Sequence, residues 1–480
     1  MARKSIRKNY IYNVLYQVLT LLTPMITAPY LSRVLEADGI GRVSYVESVV
    51  SYFTLFAAMG MATFGQREVS YLQDDRKGRT VIFWEVKILE LLTSAICSGI
   101  YVIYAIGRPD SSLYLILIFN LLSVATGVTW VFQGMEEFGR IVSRNLVFKV
   151  LNIIYIFTAI RSKEDLLKYL FGLSFFSFLS SVSLWFWLPK VVGRPKLSEL
   201  RPFRHMKIII SLFIPTIAIQ IYTVLDKTMI GVITQDSFEN GYYELAIKIS
   251  KMVMAVVTAL GTVMIPRIGY HFEQGETQRI RSLMYRGYRF VWFLGVPLCL
   301  GMIMVCGNFV PWFFGEGYEQ VVPLLQILSF LILAIGINNV TGMQYMIPTK
   351  RQNIFTITVI IGATINFMLN MVLIRSFQAI GAAVASVVAE TVIAVVQLII
   401  VRKELSPWTV LLEGRNYYIS GILMAGALGI MEKHLNPSIM HTILLVSCGA
   451  LIYFGVLLVL KDEFFFENAR KVLKKIRIVK

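Results

Sequence analysis

Apolar windows of membrane-crossing length recur from one end of this 480-residue chain to the other, and Lys and Arg collect in every second gap between them. Few folds accept such a pattern. Hydrophobic residues make up 56% of the chain and charged residues only 16%, so a water-soluble fold could not hide the apolar surface. Fourteen spans fit the windows, near 10–32, 40–62, 81–105, 112–133, 141–160, 165–188, 206–231, 242–265, 288–308, 321–342, 354–374, 380–400, 416–431 and 439–460. Most reach the ~20 residues that a ~30 Å hydrocarbon core demands of a helix. Ten-residue segments of alternating polarity are absent, which disfavours an outer-membrane barrel. The expected class is an all-α polytopic membrane protein.

Charge orients it. On one side of these spans the gaps and both tails hold 33 Lys and Arg; the other side holds six, Arg33, Arg108, Arg161, Lys163, Arg375 and Lys433. Basic residues in short loops stay cytoplasmic, so both termini are expected in the cytoplasm and the number of spans is even. The start, MARKSIRKNY, leads into a long apolar stretch without a small-residue cleavage site and reads as a retained first helix. The net charge of +17 needs no nucleic acid: a basic tail such as ENARKVLKKIRIVK next to a membrane helix suits anionic lipid headgroups. No GxxxxGK[ST] motif occurs and no gap is large enough for a nucleotide-binding domain, which argues against ATP-driven transport by this chain alone. Cys97, Cys299, Cys306 and Cys448 fall inside apolar windows without paired spacing, as small hydrophobes would. His205, His271, His434 and His441 show no metal-ligand grouping, and no cofactor is implied.

The gap WLPKVVGRPKLSELRPFRHMK, rich in proline and basic residues, divides six spans from eight. Two pseudo-symmetric six-helix lobes, 1–200 and 201–400, followed by an extra helix pair and basic tail over 401–480, are the natural division. Loose internal symmetry supports it: a mid-span proline in LLTPMITAPYLSRVL has a counterpart in SLFIPTIAIQIYTVLDK, each after a basic cluster, Arg7–Lys8 or Arg204–Lys207. Such prolines are equally simple bends, or elements of a bundle pair that exposes a cavity to each side in turn.

Ionisable groups at membrane depth normally face a bundle interior or a wet cavity. Glu244, Lys248 and Lys251 are spaced by four and three and share one helical face. They read as a cationic cavity wall tempered by an acid, or as an outer end with Lys248 snorkelling. Asp226 and Lys227 point about 100° apart and need separate partners, Lys248 being the candidate for Asp226; an ion pair that only fixes packing explains them too. Arg33 at the end of span one and Lys149 in FKVLNIIYIF are candidates for phosphate contact. Lys87 and Glu90, three apart, are placed to pair. Glu390 is the one acid deep in span twelve, either a proton or cation site or a packing group. The small residues of GAAVASVVA favour close helix packing, and the tyrosines divide between an interfacial belt and a sugar-handling surface. No GxSxG, HExxH or clustered acid pair points to an enzyme.

Ordered strings along residues 9–400 resemble the polysaccharide-biosynthesis oligosaccharide flippases, the Wzx-type branch of the multidrug/oligosaccharidyl-lipid/polysaccharide exporter superfamily. They are TAPYLSRVLEADGIGRVSY, FGQREVSYLQDD, WVFQGMEEFGRI, VLDKTMIG, TGMQYMIPTKRQN and IGAAVASVVAE. The resemblance implies a two-lobed bundle without ATPase in the bacterial inner membrane. It would move an undecaprenyl-diphosphate-type lipid-linked oligosaccharide to the outer leaflet for O-antigen, capsule or exopolysaccharide synthesis, alongside a polymerase and a chain-length regulator. The family's cavity cations would correspond to Arg33 and Lys149, with Lys248 or Lys251 opposite; from the residues, Lys227 would face the cavity where Asp226 pairs with Lys248. The alternative is a cation-coupled exporter of small molecules on the same fold. A membrane-embedded polymerase or ligase fits less well, since every gap on the outer side is short.

Overall fold

In the computed structural model the backbone is described over residues 6–259 and 261–478, and side chains over 20–470 apart from positions 21, 215, 218, 219, 221, 260, 262 and 263. The side chains of the N-terminal basic cluster, of Pro215 and of the tail from Lys471 onward lie outside the described residues. Among the described residues every regular element is helical. Nine stretches of the described residues are long and apolar enough to cross a membrane: Leu22–Tyr71, Arg76–Ile106, Ser111–Gly134, Phe138–Ala159, Lys163–Lys190, Thr277–Phe314, Val321–Met346, Gln352–Ile400 and Ile439–Val459. The chain is an all-α, multi-pass membrane protein. It divides into two units, one running to Gly231 and taking in Asp236–Gly241, the other comprising Val232–Gln235 and everything from Tyr242 on.

The first unit opens with α1 (Ile6–Ala58), which contains Pro24 and Pro29 and is broken at Glu36, where φ is 57°. It continues through α2 (Met61–Tyr71), α3 (Arg76–Ile106), α4 (Ser111–Ile116), α5 (Ile118–Thr126), α6 (Thr129–Gly134), α7 (Phe138–Ala159), α8 (Leu166–Ser183) and α9 (Met206–Thr234), whose first 26 residues belong to this unit. Two ladders of contacts fix directions. The first arm of α1 runs parallel to α7: Thr20 meets Lys149, and the Tyr30 hydroxyl donates to Ile160 O. The second arm runs antiparallel to α3, with Ala57 opposite Thr93, Phe53 opposite Tyr101 and Arg42 opposite Asp110. Tyr45, Ser48 and Tyr52 of that arm face α9, Tyr52 and Thr228 lying 3.0 Å apart.

Span four, expected as one helix over 112–133, is three short helices. Leu117 takes a tighter three-residue hydrogen bond to Tyr114 O, and Gly127 is extended at ψ 124°. Exposed backbone at membrane depth needs donors and acceptors from neighbours. Here Lys87 Nζ donates to Gly127 O at 2.7 Å and Trp185 Nε1 to Thr126 O at 2.7 Å. Apolar packing of Phe64, Phe83, Trp130, Val131 and Leu188 closes this end of the unit.

The second unit contains α10 (Ser237–Thr258) from Tyr242 on, α11 (Gly261–Glu273), α12 (Thr277–Phe314), α13 (Val321–Leu328) and α14 (Leu331–Asn338). A π-helical segment, Asn339–Met346, follows, then α15 (Gln352–Ile400), broken at Gln378 with φ 51°. The chain ends with α16 (Pro407–Leu412), α17 (Arg415–Glu432), α18 (Ile439–Val459) and α19 (Glu463–Ile478). The last helices are not loose additions. Tyr417, Leu428, Leu445 and Tyr453 share one core with Trp292 and Val296 of α12. Trp292 Nε1 donates to Val410 O at 2.8 Å, and Arg289 pairs with Glu413 at 2.5 Å. Asp462 accepts from Asn416, Tyr417 and the Phe465 amide.

Candidate functional site

In the first unit the basic groups lie at different depths. Lys149 is half-buried midway along α7, its Nζ 3.0 Å from Thr20 Oγ1. Arg33 is exposed on α1 and donates to Pro29 O at 2.6 Å. Because α1 and α7 are parallel and Lys149 sits beside Thr20, thirteen residues put Arg33 about 20 Å further along the axis. The two candidate phosphate contacts therefore do not form one cluster; they mark two levels of the same helix pair. Near Arg33, Lys163 and Glu36 approach to 3.9 Å.

A third cation, not singled out from the sequence, stands between Lys149 and the N-terminal end of α7. Arg144 donates from Nε and Nη2 to Asn145 Oδ1 at 3.0 and 2.6 Å, and from Nη1 to Ser180 O at 3.2 Å. Its spacing of five from Lys149 is visible in the sequence, but its place only three residues into the expected span 141–160 groups it with Arg140 among the charges flanking the preceding gap. Three hydroxyls, Ser123, Ser177 and Ser181, meet between α5 and α8, next along the chain from Ser180. On α9, Asp226 and Lys227 are half-buried; Asn240 Nδ2 holds Lys227 O at 3.0 Å, and Thr228 bonds Ser48 Oγ at 2.9 Å.

In the second unit, Glu244 is buried and pairs with Lys248 at 2.8 Å across one helical turn. Lys248 and Lys251 are exposed on the same helix. Glu390 receives the Asn338 amide on its carboxylate, and the same amide nitrogen lies 3.2 Å from Glu390 O. Further along α15, Asn366 donates to Ser386 Oγ at 3.4 Å and Asn370 to Asn366 Oδ1 at 3.1 Å. Asn338 was missed because a single amide in an apolar window carries no spacing signal. Such a polar seam can hold an acid at membrane depth, where an isolated charge is expensive.

Long apolar helices carrying separated basic groups, in two helical units, define a membrane transporter bundle. A solved structure of the lipid II flippase MurJ in an inward closed conformation aligns with 95% of this chain and 99% of its own, at a TM-score of 0.66 and 15% identity. An inward-facing transporter of the multidrug resistance MATE family aligns with 86% of this chain and 98% of its own, at a TM-score of 0.58 and 13% identity. The fold is theirs. Residues 6–271 match the family described as polysaccharide biosynthesis protein, and the chain belongs to that family. The putative O-antigen transporter of Escherichia coli K12 is 22% identical over 407 residues, 83% of this chain and 97% of that protein. The probable flippase AglR of Haloferax volcanii is 26% identical over 249 residues, 51% of each.

Proposed function

We propose that the protein is a flippase that carries an isoprenoid-diphosphate-linked oligosaccharide across the cytoplasmic membrane for polysaccharide biosynthesis, by alternating access and without ATP. The observation that carries this reading is family membership over residues 6–271, the stretch that also places Arg33, Arg144, Lys149 and Lys227 on apolar helices. A diphosphate with sugars attached cannot enter hydrocarbon unaided. Cations placed at successive depths offer it compensating charge along a path, and separated groups release it more readily than a closed cage does.

In this reading Arg33, Lys149, Lys227, Lys248 and Lys251 contact the diphosphate. Asp226, Glu244 and Glu390 serve as a coupling site or as ion pairs that fix packing. The fourteen-span arrangement follows if Leu22–Tyr71 and Gln352–Ile400, 50 and 49 residues long, each cross twice about their breaks, and if α9, α10 and α17 also cross. We infer lobes over 1–200 and 201–400 with the pair of 401–480 added, and both termini in the cytoplasm on the strength of the basic bias. Undecaprenyl diphosphate is the carrier class expected in a bacterial inner membrane. Anionic lipids lie against the basic loops, and a polymerase and a chain-length regulator act on the product.

Purified protein in liposomes should speed translocation of a diphosphate-linked oligosaccharide without ATP, and binding should weaken as salt rises. Absence of such transport together with efflux of small organic cations would instead establish the exporter reading.

A further inference from the structure

The segment between α8 and α9 contains the longest hydrophilic gap in the first half of the sequence, and such gaps are ordinarily mobile. Here it is fastened to α3 along its length. Arg76 Nη2 donates to Pro189 O at 2.9 Å, and buried Arg79 donates from Nε to Val191 O at 3.0 Å. Gly193 is held on both sides: its N–H donates to Thr80 Oγ1 at 2.9 Å and its carbonyl accepts from Trp84 Nε1 at 3.1 Å. Lys77 faces Glu199 at 3.5 Å. Leu188, Val191 and Val192 are buried in the apolar core of that end.

The fastening ends on Glu85, whose side chain is fully buried. One carboxylate accepts from the Arg201 amide at 2.7 Å, from Arg204 Nε and Nη2 at 3.1 and 2.7 Å, and from His205 Nε2 at 2.9 Å. A carboxylate offers about four lone-pair sites, and three residues of this one segment, Arg201, Arg204 and His205, supply four contacts to them. Burying an acid is costly unless it is matched in this way, so the arrangement makes sense only with the segment docked. His205 also lies against the Phe64 ring, centroids 4.9 Å apart. Met206, the next residue, opens α9. Asp226 and Lys227 lie twenty residues on along the same helix, roughly 30 Å from its head.

We infer that Glu85 is a positioning residue: it locks the 189–205 strap and the head of α9 onto α3, so that these three move as one body during transport. Glu85 acts through Arg204 and His205, and touches no cargo. Only the transport arm of the test below rests on the flippase reading.

The test compares wild type, Glu85→Ala and Arg204→Met in inside-out vesicles, each with and without the pair Thr80→Cys and Gly193→Cys. The pair places a cross-link where the strap already meets α3. Trypsin cleavage after Lys196 reports strap opening, because proteolysis follows the population of the opened segment. Glu85→Ala should raise the cleavage rate by about tenfold and Arg204→Met by about threefold. Oxidation of the cysteine pair should return both to the wild-type rate and restore transport per molecule to Glu85→Ala. Unchanged cleavage in both variants would overturn the lock. So would a cross-linked wild type that is abundant but no longer transports, since the strap would then have to open in each cycle. Restored protection without restored transport would place the role of Glu85 elsewhere. If wild type itself transports nothing, the flippase reading fails while the cleavage arm still decides the lock. Should Glu85→Ala not accumulate, Arg204→Met carries the comparison alone.

Discussion

Arg351 grips Glu404 with two prongs, Nη1 2.8 Å from one carboxylate oxygen and Nη2 2.7 Å from the other, while the Tyr345 hydroxyl donates to the same carboxylate at 2.6 Å. The pair joins the residue before α15 to the turn after it, closing the two arms of that helix at one end. The guanidinium holds the Glu404 carboxyl below its ordinary value of 4.5, and the carboxylate raises Arg351 in turn.

A pH dependence follows with a definite sign. The folded Glu404 pKa is depressed, so its contribution is present above the unfolded value and is lost as pH falls through the folded one. Both side chains are a third or more exposed, and solvent screening keeps the effect below about 1 kcal/mol. Thermal unfolding in detergent between about pH 3.5 and 7 should find Glu404→Gln slightly less stable than wild type near neutrality, with the gap closing under acid. Parallel curves would rule the pair out as a contributor.

Lys87 and Glu90 form a different kind of pair, 2.6 Å apart with side chains 0% and 4% exposed. Lys87 also supports the broken span at Gly127 O. Removing one partner should leave a buried charge and cost about 3–5 kcal/mol, whereas Lys87→Met with Glu90→Leu should recover much of that loss. Thermal midpoints of the single and double variants decide it. A double variant no better than the worse single would mean that the Gly127 contact dominates.

The all-α membrane class and the pairing of Lys87 with Glu90 were legible in the sequence because window length, charge and spacing are local. Span four as a continuous helix was not, because its break depends on Lys87 and Trp185 arriving from elsewhere in the chain. The strap on α3 was hidden for the same reason: Glu85 and His205 are 120 residues apart, and neither carries a mark of the other. Arg33 and Lys149 were both visible as isolated cations, but their separation by ~20 Å came only from the parallel register of α1 and α7.

Close backbone approach yields a sharper prediction. A Cβ on Gly41 would lie 1.7 Å from Ser237 O, and one on Gly241 would lie 2.1 Å from Ala37 O. Neither obstacle is a side chain that can swing aside, so the second arm of α1 and the start of α10 would have to separate. Gly41→Ala should cost at least the ~1–3 kcal/mol of an overpacked core, and Gly41→Val more. Gly426, with nothing within 4 Å of its Cβ position, is the control, and Gly426→Ala should accumulate normally. Membrane abundance and monodispersity after extraction are the readouts; equal behaviour of Gly41→Ala and Gly426→Ala would contradict the geometry.

Charge at the proposed cargo path separates residues by position. Lys251 is exposed on α10, seven residues beyond buried Glu244 and therefore on the same face as the Glu244–Lys248 pair. Lys163 is also exposed, at 65% of its side chain, but lies in the short turn before α8 with Glu36 3.9 Å away. An exposed pair of that kind contributes ~0–1 kcal/mol, so Lys163→Ala should be nearly silent. Lys251→Ala should lower surface polysaccharide several-fold at equal membrane abundance, because a cation facing a diphosphate in a partly dehydrated path is worth more than one in bulk water. Lys251→Arg should keep most of the activity by retaining the charge. In liposomes, Lys251→Ala should also flatten the salt dependence of cargo binding, since fewer screened contacts remain. Normal export by abundant Lys251→Ala would remove that residue from the path, and a flat salt response already in wild type would remove the diphosphate from the explanation.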